Sequence, residues 1–231
     1  MHDNLLRQRL ILGRDLASSS ASGAFDTEVA NALKHFQKRH GLAETGNVGP
    51  RTLAALNVTV QQRSKQLEAS LLRTATIGFA FGPRFVAVNI PAAFVEAVEN
   101  DKVVHRYRVV VGKTEKPSPT VTSEITDINL NPNWTIPASI TKNEIAVHTR
   151  KDATYLSRMH MQLYDDHDAI LDPNTVDWAV GKTPNAIVRQ EPGPWNALGQ
   201  LKINMPNSYA VYMHDTNQKS LLSADYRFDS H

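Results

Sequence analysis

The sequence predicts an α+β protein, a small three-helix module followed by a mainly β domain that carries a helical insertion. Three observations predict it. Apolar residues recur at helical spacing up to about residue 57, the period changes to two from about residue 83, and Ser139 to Met159 returns to helical patterning between strand-like segments. The division that follows is a helical module over 3–57, a connecting helix and hinge over 58–82, and a β domain over 83–231, with the insertion over about 132–178.

In the module, Leu6, Leu10 and the Ile11-Leu12 pair make a short first helix that ends at Gly13, and a polar loop, Ser18 to Ser22, follows. The second helix has the fullest set of signals. Asp26 is placed to cap it, Phe25, Val29, Leu33 and Phe36 recur along one face, Lys38 to His40 put positive charge in the last turn, and Gly41 suits the left-handed residue that stops it. Gly46 and Gly49 then turn the chain, Pro50 opens a third short helix and Asn57 closes it. Leu67, Leu71 and Leu72 are the apolar points of the connecting helix, which loosens through Gly78 and Gly82-Pro83.

Beyond the hinge, Val86, Val88 and Ile90 alternate with Ala87 and Asn89, the pattern of a half-buried strand with the valines inward. Phe94 to Val98 and Val103 to Val111 flank Asn100-Asp101 as a hairpin that Gly112 ends. Later, Leu201, Ile203 and Met205 lead through Pro206-Asn207-Ser208 into Tyr209, Val211 and Met213, a second alternation about a turn. His214 lies just past Met213, on the face opposite to Val211 and Met213, and so at the mouth of the sheet.

Bulk properties narrow the function classes. A formal charge of +2, with 25 basic and 23 acidic residues interspersed, lacks the basic stripe of a nucleic-acid binder. No apolar run is long enough for a membrane span, and Met1 to Gly13 has no secretory apolar core. With no cysteine, these residues can form neither disulfides nor thiolate metal sites, and they hold no thiol nucleophile. Asp165, Asp166 and Asp168 around His167 match no calcium-loop spacing and read as a solvated acidic loop.

The constellation with chemical reach is His214-Asp215-Thr216 and the terminal Ser230-His231, with fifteen residues between His214 and Ser230. Histidine titrates near neutral pH, so a pair close in space can serve acid–base catalysis, a metal or a nucleophile. On those residues alone the alternatives stay open, including a satisfied histidine at a strand end and a frayed terminus.

Longer segments carry a resemblance. Leu6 to Leu10, Phe36-Gln37-Lys38-Arg39-His40-Gly41-Leu42 and Gly46 to Asn57 resemble, in order, the signature segments of the peptidoglycan-binding type 1 module. Arg84 to Pro91, Val110-Val111-Gly112-Lys113, Asn131-Pro132-Asn133-Trp134-Thr135-Ile136-Pro137, Gln190 to Gly199 and Tyr212 to Thr216 resemble the blocks of a YkuD-type L,D-transpeptidase catalytic domain, in its larger YcbB-like branch. The signature of that family is a His, about fifteen residues, then Ser-His-Gly-Cys and a nearby Arg. This sequence has His214 and Ser230-His231, and ends before the Gly and Cys.

The resemblance implies acyl transfer through a cysteine thioester. The thiolate attacks the amide between the L-centre of diaminopimelate and the fourth-position D-alanine of a peptidoglycan stem, and a neighbouring stem amine takes the acyl group to form a 3-3 cross-link. It implies His214 as proton donor and acceptor, the backbone carbonyl of Asp215 as the group that orients it, and Ser230 and His231 as the start of the nucleophile signature. It further implies Trp134, Asn196 and Tyr212 at the substrate groove under a capping insertion, although Trp134 also reads as a packing anchor. No cofactor and no metal are implied. The expected partners are peptidoglycan stem peptides, with a lipoprotein as a further acceptor, and the expected location is the periplasm or cell envelope, in the service of wall organisation and cell shape. On this reading the chain is truncated before its catalytic Cys and is itself silent. A non-catalytic peptidoglycan-binding fragment is the alternative, and a zinc wall peptidase using His214, Asp215 and His231 is a third reading.

Overall fold

A computed structural model describes residues 3–17, 24–78, 80–182 and 184–230. The Ser18 to Ser22 loop and His231 lie outside the described residues. The chain divides into two compact units, Met1–Ser118 with Ser220–His231, and Pro119–Lys219.

The first unit opens with helices α1 (Asp3–Leu12), α2 (Thr27–Arg39) and α3 (Pro50–Leu56). Leu6, Leu10, Leu16, Val29, Ala32, Leu33, Phe36 and Leu56 pack into one buried cluster, as the i, i+3, i+4 spacing of the first two helices dictates. Asp26 caps α2, its carboxylate accepting the Val29 N–H at 2.9 Å, and Arg7 holds the same carboxylate at 2.8 Å. Pro50 occupies the first turn of α3, and Gly41 takes a left-handed φ of +69° after α2. Phe25, expected on the buried face, is 44% exposed because it precedes the cap and lies outside the helical register.

Gln37 does work that the apolar pattern did not show. It is 1% exposed, donates to Thr45 Oγ1, the Asn47 carbonyl and Thr52 Oγ1, and accepts the Gly46 N–H at 2.9 Å. A buried amide so satisfied fixes the 45–52 turn on α2.

Helix α4 (Val60–Ala75) begins with a capping box, Thr59 Oγ1 accepting from Gln62 N at 3.2 Å and Gln62 Oε1 from Thr59 N at 2.9 Å. Leu67, Leu71 and Leu72 are all exposed on it. Strands β1 (Arg84–Asn89), β2 (Phe94–Glu99) and β3 (Lys102–Arg108) then form an antiparallel meander in the order β1-β2-β3, with the β2–β3 turn at Asn100-Asp101 as expected.

The phase of β1 is the reverse of the expected one. Val86 and Val88 are 42% and 40% exposed, while Phe85 and Ala87 are the more buried residues. Four consecutive apolar residues give alternation no phase, and in the fold Phe85 packs against Phe81 with ring centroids 4.4 Å apart. Gly112 does not end the hairpin. It lies in β4 (Val111–Gly112), which pairs in parallel with the last strand of the chain.

In the second unit, β5 (Asp127–Leu130) is followed by β6 (Trp134–Thr135) and a helical run of α5 (Ala138–Ile140), a π-helical turn (Thr141–Ile145), α6 (Ala146–Lys151) and α7 (Tyr155–Arg158). Strands β7 (Met161–Tyr164) and β8 (Ile187–Gln190) come next, and the sheet order is β6-β8-β7. Ile136, Ile145, Leu156, Met161, Leu163 and Val188 form the core between these helices and this sheet. At the acidic turn, Asp165 accepts the His167 and Ala169 N–H groups and Asp168 pairs with Arg189 at 2.6 Å.

Strands β9 (Leu201–Asn204) and β10 (Met213–His214) complete a second sheet in the order β10-β9-β5, all antiparallel. The strand expected from Tyr209 is shorter than its apolar alternation suggests. Asn207 donates to the Met205 and Val211 carbonyls and accepts the Tyr209 and Val211 N–H groups, so 205–211 folds as a side-chain-tied loop. The chain ends, in the first unit, with β11 (Phe228–Ser230) against β4.

Candidate functional site

The β5–β9–β10 sheet sorts its side chains by pleat. Met213 faces Ile203 and His214 faces Lys202, while Lys202 faces Asn129 and Asn204 faces Asp127 across the other pairing. Directly opposed residues share a face. One face therefore carries Leu201, Ile203, Met213, Ile128 and Leu130, and the other carries His214, Lys202, Asn204, Asn129 and Asp127. The polar face is the candidate site.

At its edge, His214 Nδ1 is hydrogen-bonded to the backbone carbonyl of Asp215. A carbonyl only accepts, so the neutral ring carries its proton on Nδ1 and presents a lone pair at Nε2. Among the described residues no group engages Nε2. Solvent reaches the residue, yet surrounding protein still desolvates the ring and lowers its pKa from 6.5. The Asp215 carbonyl and carboxylate oppose that shift, and the nearby Lys202 ammonium adds to it. At neutral pH the imidazole is a base.

Asp215 is itself held from several sides. Its N–H donates to the Leu201 carbonyl at 2.9 Å, its carboxylate accepts the Gln200 N–H at 3.0 Å, and it pairs with Lys219. Gly199 makes this approach possible. It sits at φ +61°, and a Cβ there would meet the Asp215 carboxyl carbon and Thr216 N, both at 2.7 Å. The glycine brings the loop before β9 down onto the residue that orients His214.

Tyr212 lies two residues before His214 with its ring 5.9 Å from the imidazole, and Lys202 Nζ stands 4.2 Å from the Tyr212 ring centroid. Desolvation raises the Tyr212 pKa, and the Trp134 indole N–H on the phenol side partly offsets it. That N–H is buried and stops short of hydrogen-bond geometry, so it has no completed bond. Trp134, Tyr212 and His214 are thus linked through Tyr212.

Asn196 has a different place. It is 0% exposed, donates to the Pro132, Gln190 and Glu191 carbonyls, and accepts the Leu198 N–H at 2.8 Å. With its amide engaged at both ends, it fixes the 190–199 loop from within. Ser230 belongs to the first unit, on β11 opposite Gly112, where its carbonyl accepts the Lys113 N–H at 3.2 Å. His231 lies outside the described residues.

Lys202 was missed by the sequence reading. Nothing in its neighbours marks it, and only the β9–β10 register, which pairs it with a residue twelve positions later, brings it to His214. Gly199 has a weaker signal, a glycine just before a strand.

Among the described residues, no cluster of three or more His, Asp or Glu side chains is spaced to hold a metal, and no helix is long and apolar enough to cross a membrane.

Comparison with known proteins gives the geometry a setting. Residues 83–231 match the family described as the L,D-transpeptidase catalytic domain, and residues 5–56 match the one described as "Putative peptidoglycan binding domain". A protein of Haemophilus influenzae named "Putative L,D-transpeptidase" is 29% identical over 144 residues, which cover 62% of this chain. The aligned stretch spans only 29% of that relative's length.

Proposed function

The chain belongs to the L,D-transpeptidase family, and from that premise we propose that His214 is the proton donor and acceptor of a cysteine-type acyl transfer on peptidoglycan stem peptides. The observation that carries this reading is the Nδ1 contact to the Asp215 carbonyl, which leaves Nε2 as a lone pair on the polar face. A base in this tautomer takes the proton of an attacking thiol and returns it to the departing amine. The same nitrogen then receives the proton of the acceptor amine and gives it back to the sulfur. Asp215 serves through its backbone, as an orienting group rather than a second acid.

The 231 residues contain no cysteine, so the thiol that this chemistry needs is not among them. These 231 residues are therefore expected to bind stem peptides without turning them over. Ser230 and His231 stand, in this reading, at the start of the nucleophile segment. Trp134 and Tyr212 line the donor groove, and Asn196 acts as a positioning residue behind it. The insertion over 132–178, which carries α6 and α7, caps that groove in this reading, as the resemblance to the YcbB-like branch implies. The module over 3–57 holds the enzyme to the wall, with 58–82 as the connection to the catalytic domain over 83–231. A stem-to-stem 3-3 cross-link is the favoured product, a lipoprotein is a second acceptor class, and the substrate's location places the enzyme in the periplasm.

The test supplies the missing thiol. A protein whose chain continues past His231 into Gly-Cys should release D-alanine from a stem tetrapeptide and carry the acyl group as a mass adduct. His214→Ala in that protein should lose about 10²- to 10⁴-fold in acylation rate, the range of one general acid–base group. Acylation that is undiminished in His214→Ala would overturn the assignment.

A further inference from the structure

Lys202 is a cation at the heart of the polar face that the reaction scheme leaves without a task. It is half-buried on β9, directly across from His214 on β10, so the two side chains leave the same face of the sheet from Cα atoms about 4.5–5.5 Å apart. Its ammonium rests on the Tyr212 ring, 4.2 Å from the centroid. Among the described residues no carboxylate lies within ion-pair distance of it. Asp127, the acid on the same face, is hydrogen-bonded to Asn204 and to the Thr126 hydroxyl, and Lys202 acts on it only through space, as the weakest of the influences on its carboxyl.

A half-buried, unpaired ammonium held against an aromatic face is a site for an anion. The chemistry proposed above delivers one. The scissile amide joins the acyl donor to a terminal D-alanine, and in that residue the nitrogen and the carboxyl carbon are separated only by Cα, about 2.5 Å apart. Whatever group protonates the nitrogen must therefore stand beside whatever group holds the carboxylate. His214 and Lys202 have that adjacency.

Resting on the proposed function, we propose that Lys202 Nζ binds the terminal carboxylate of the donor stem and so sets the leaving D-alanine nitrogen against His214. Lys202 is a specificity residue in this account. It favours stems that end one residue past the scissile bond, because only these bring a carboxylate to that point. Tyr212 is the platform that keeps the ammonium over the groove.

Binding by the 231-residue chain tests this without any need for turnover. The probe is the tetrapeptide L-alanyl-γ-D-glutamyl-meso-diaminopimelyl-D-alanine, compared with the same peptide bearing a C-terminal carboxamide, in calorimetric titrations against wild type, Lys202→Met and Lys202→Arg. The other carboxylates are common to both peptides, so the comparison isolates the terminal one. Wild type should bind the acid about 10- to 100-fold more tightly than the amide, the range for a hydrogen bond to a charged group. Lys202→Met should erase that preference and Lys202→Arg should retain most of it, with the melting temperature of each variant confirming the fold. Equal binding of acid and amide by wild type, or a preference that survives in Lys202→Met, would overturn the anchor and leave the stem-peptide reading intact. Failure of wild type to bind either peptide would overturn the stem-peptide reading and the anchor with it.

Discussion

Two histidines, one at the end of helix α2 and one at the edge of the polar sheet, are both held below their ordinary pKa, and they are built for different ends. His40 packs on Phe36 with ring centroids 4.2 Å apart, and burial with help from Arg39 and Arg63 lowers its pKa to about 4. The Arg63 guanidinium, at 3.4 Å, donates to its Nδ1, so the neutral ring keeps its proton on Nε2. His214 has the opposite tautomer, with Nδ1–H given to a carbonyl and the lone pair at Nε2 unengaged. A lowered pKa therefore marks both residues and singles out neither. The partner of each ring nitrogen makes the difference, and on the proposed function it separates a packing histidine from the base.

The comparison breaks most visibly under deletion. Replacing His40 by Gln in the thiol-bearing protein should leave acylation within about twofold of wild type, against the 10²- to 10⁴-fold expected for His214→Ala. Comparable losses from the two would mean that the tautomers do not separate their roles.

Next in size is the support beneath each ring. Phe36→Ala removes a side chain that is 1% exposed, under His40, and should cost about 3–5 kcal/mol in denaturant unfolding. Under His214 the support is polar. Gly199→Ala drives a Cβ into Asp215 at a positive φ, and it should cost about 1–3 kcal/mol and disturb the His214 ring signals. A Gly199→Ala protein with unchanged melting temperature and unchanged His214 resonances would show that Asp215 is not held through this approach.

A third difference lies in pH dependence. For both histidines the folded pKa lies below the unfolded one. Neither contributes to the pH dependence well above 6.5, where both states are neutral, and each destabilises the fold as pH falls below 6.5 because the unfolded chain takes up the proton first. For His40 that loss continues to about pH 4. Stability measured from pH 7 to pH 4 should fall less steeply in His40→Gln than in wild type, and identical slopes would show that the ring is not held neutral.

How much of this was legible before folding depends on how local the cause is. The α2 helix was readable end to end, because the Asp26 cap, the apolar stripe and Gly41 act within a few residues. His214 was readable as a candidate from its neighbours. The phase of β1 was not, since Phe85 to Val88 are all apolar and only packing chooses a side. Nor was the length of β10, because Asn207 binds four backbone groups that a strand would have used. Asn196, which the resemblance put at the groove, lies fully buried, and that placement depends on three carbonyls up to 64 positions away. Lys202 needed the strand register itself.

The central claim concerns one proton. Nitrogen-detected NMR of the 231-residue protein, with His214 assigned through its loss in His214→Gln, reads both the tautomer and the titration of that ring. The account predicts Nδ1–H at pH 7 and a midpoint below the ordinary 6.5. A ring protonated on Nε2, or one that titrates above 6.5, would contradict it.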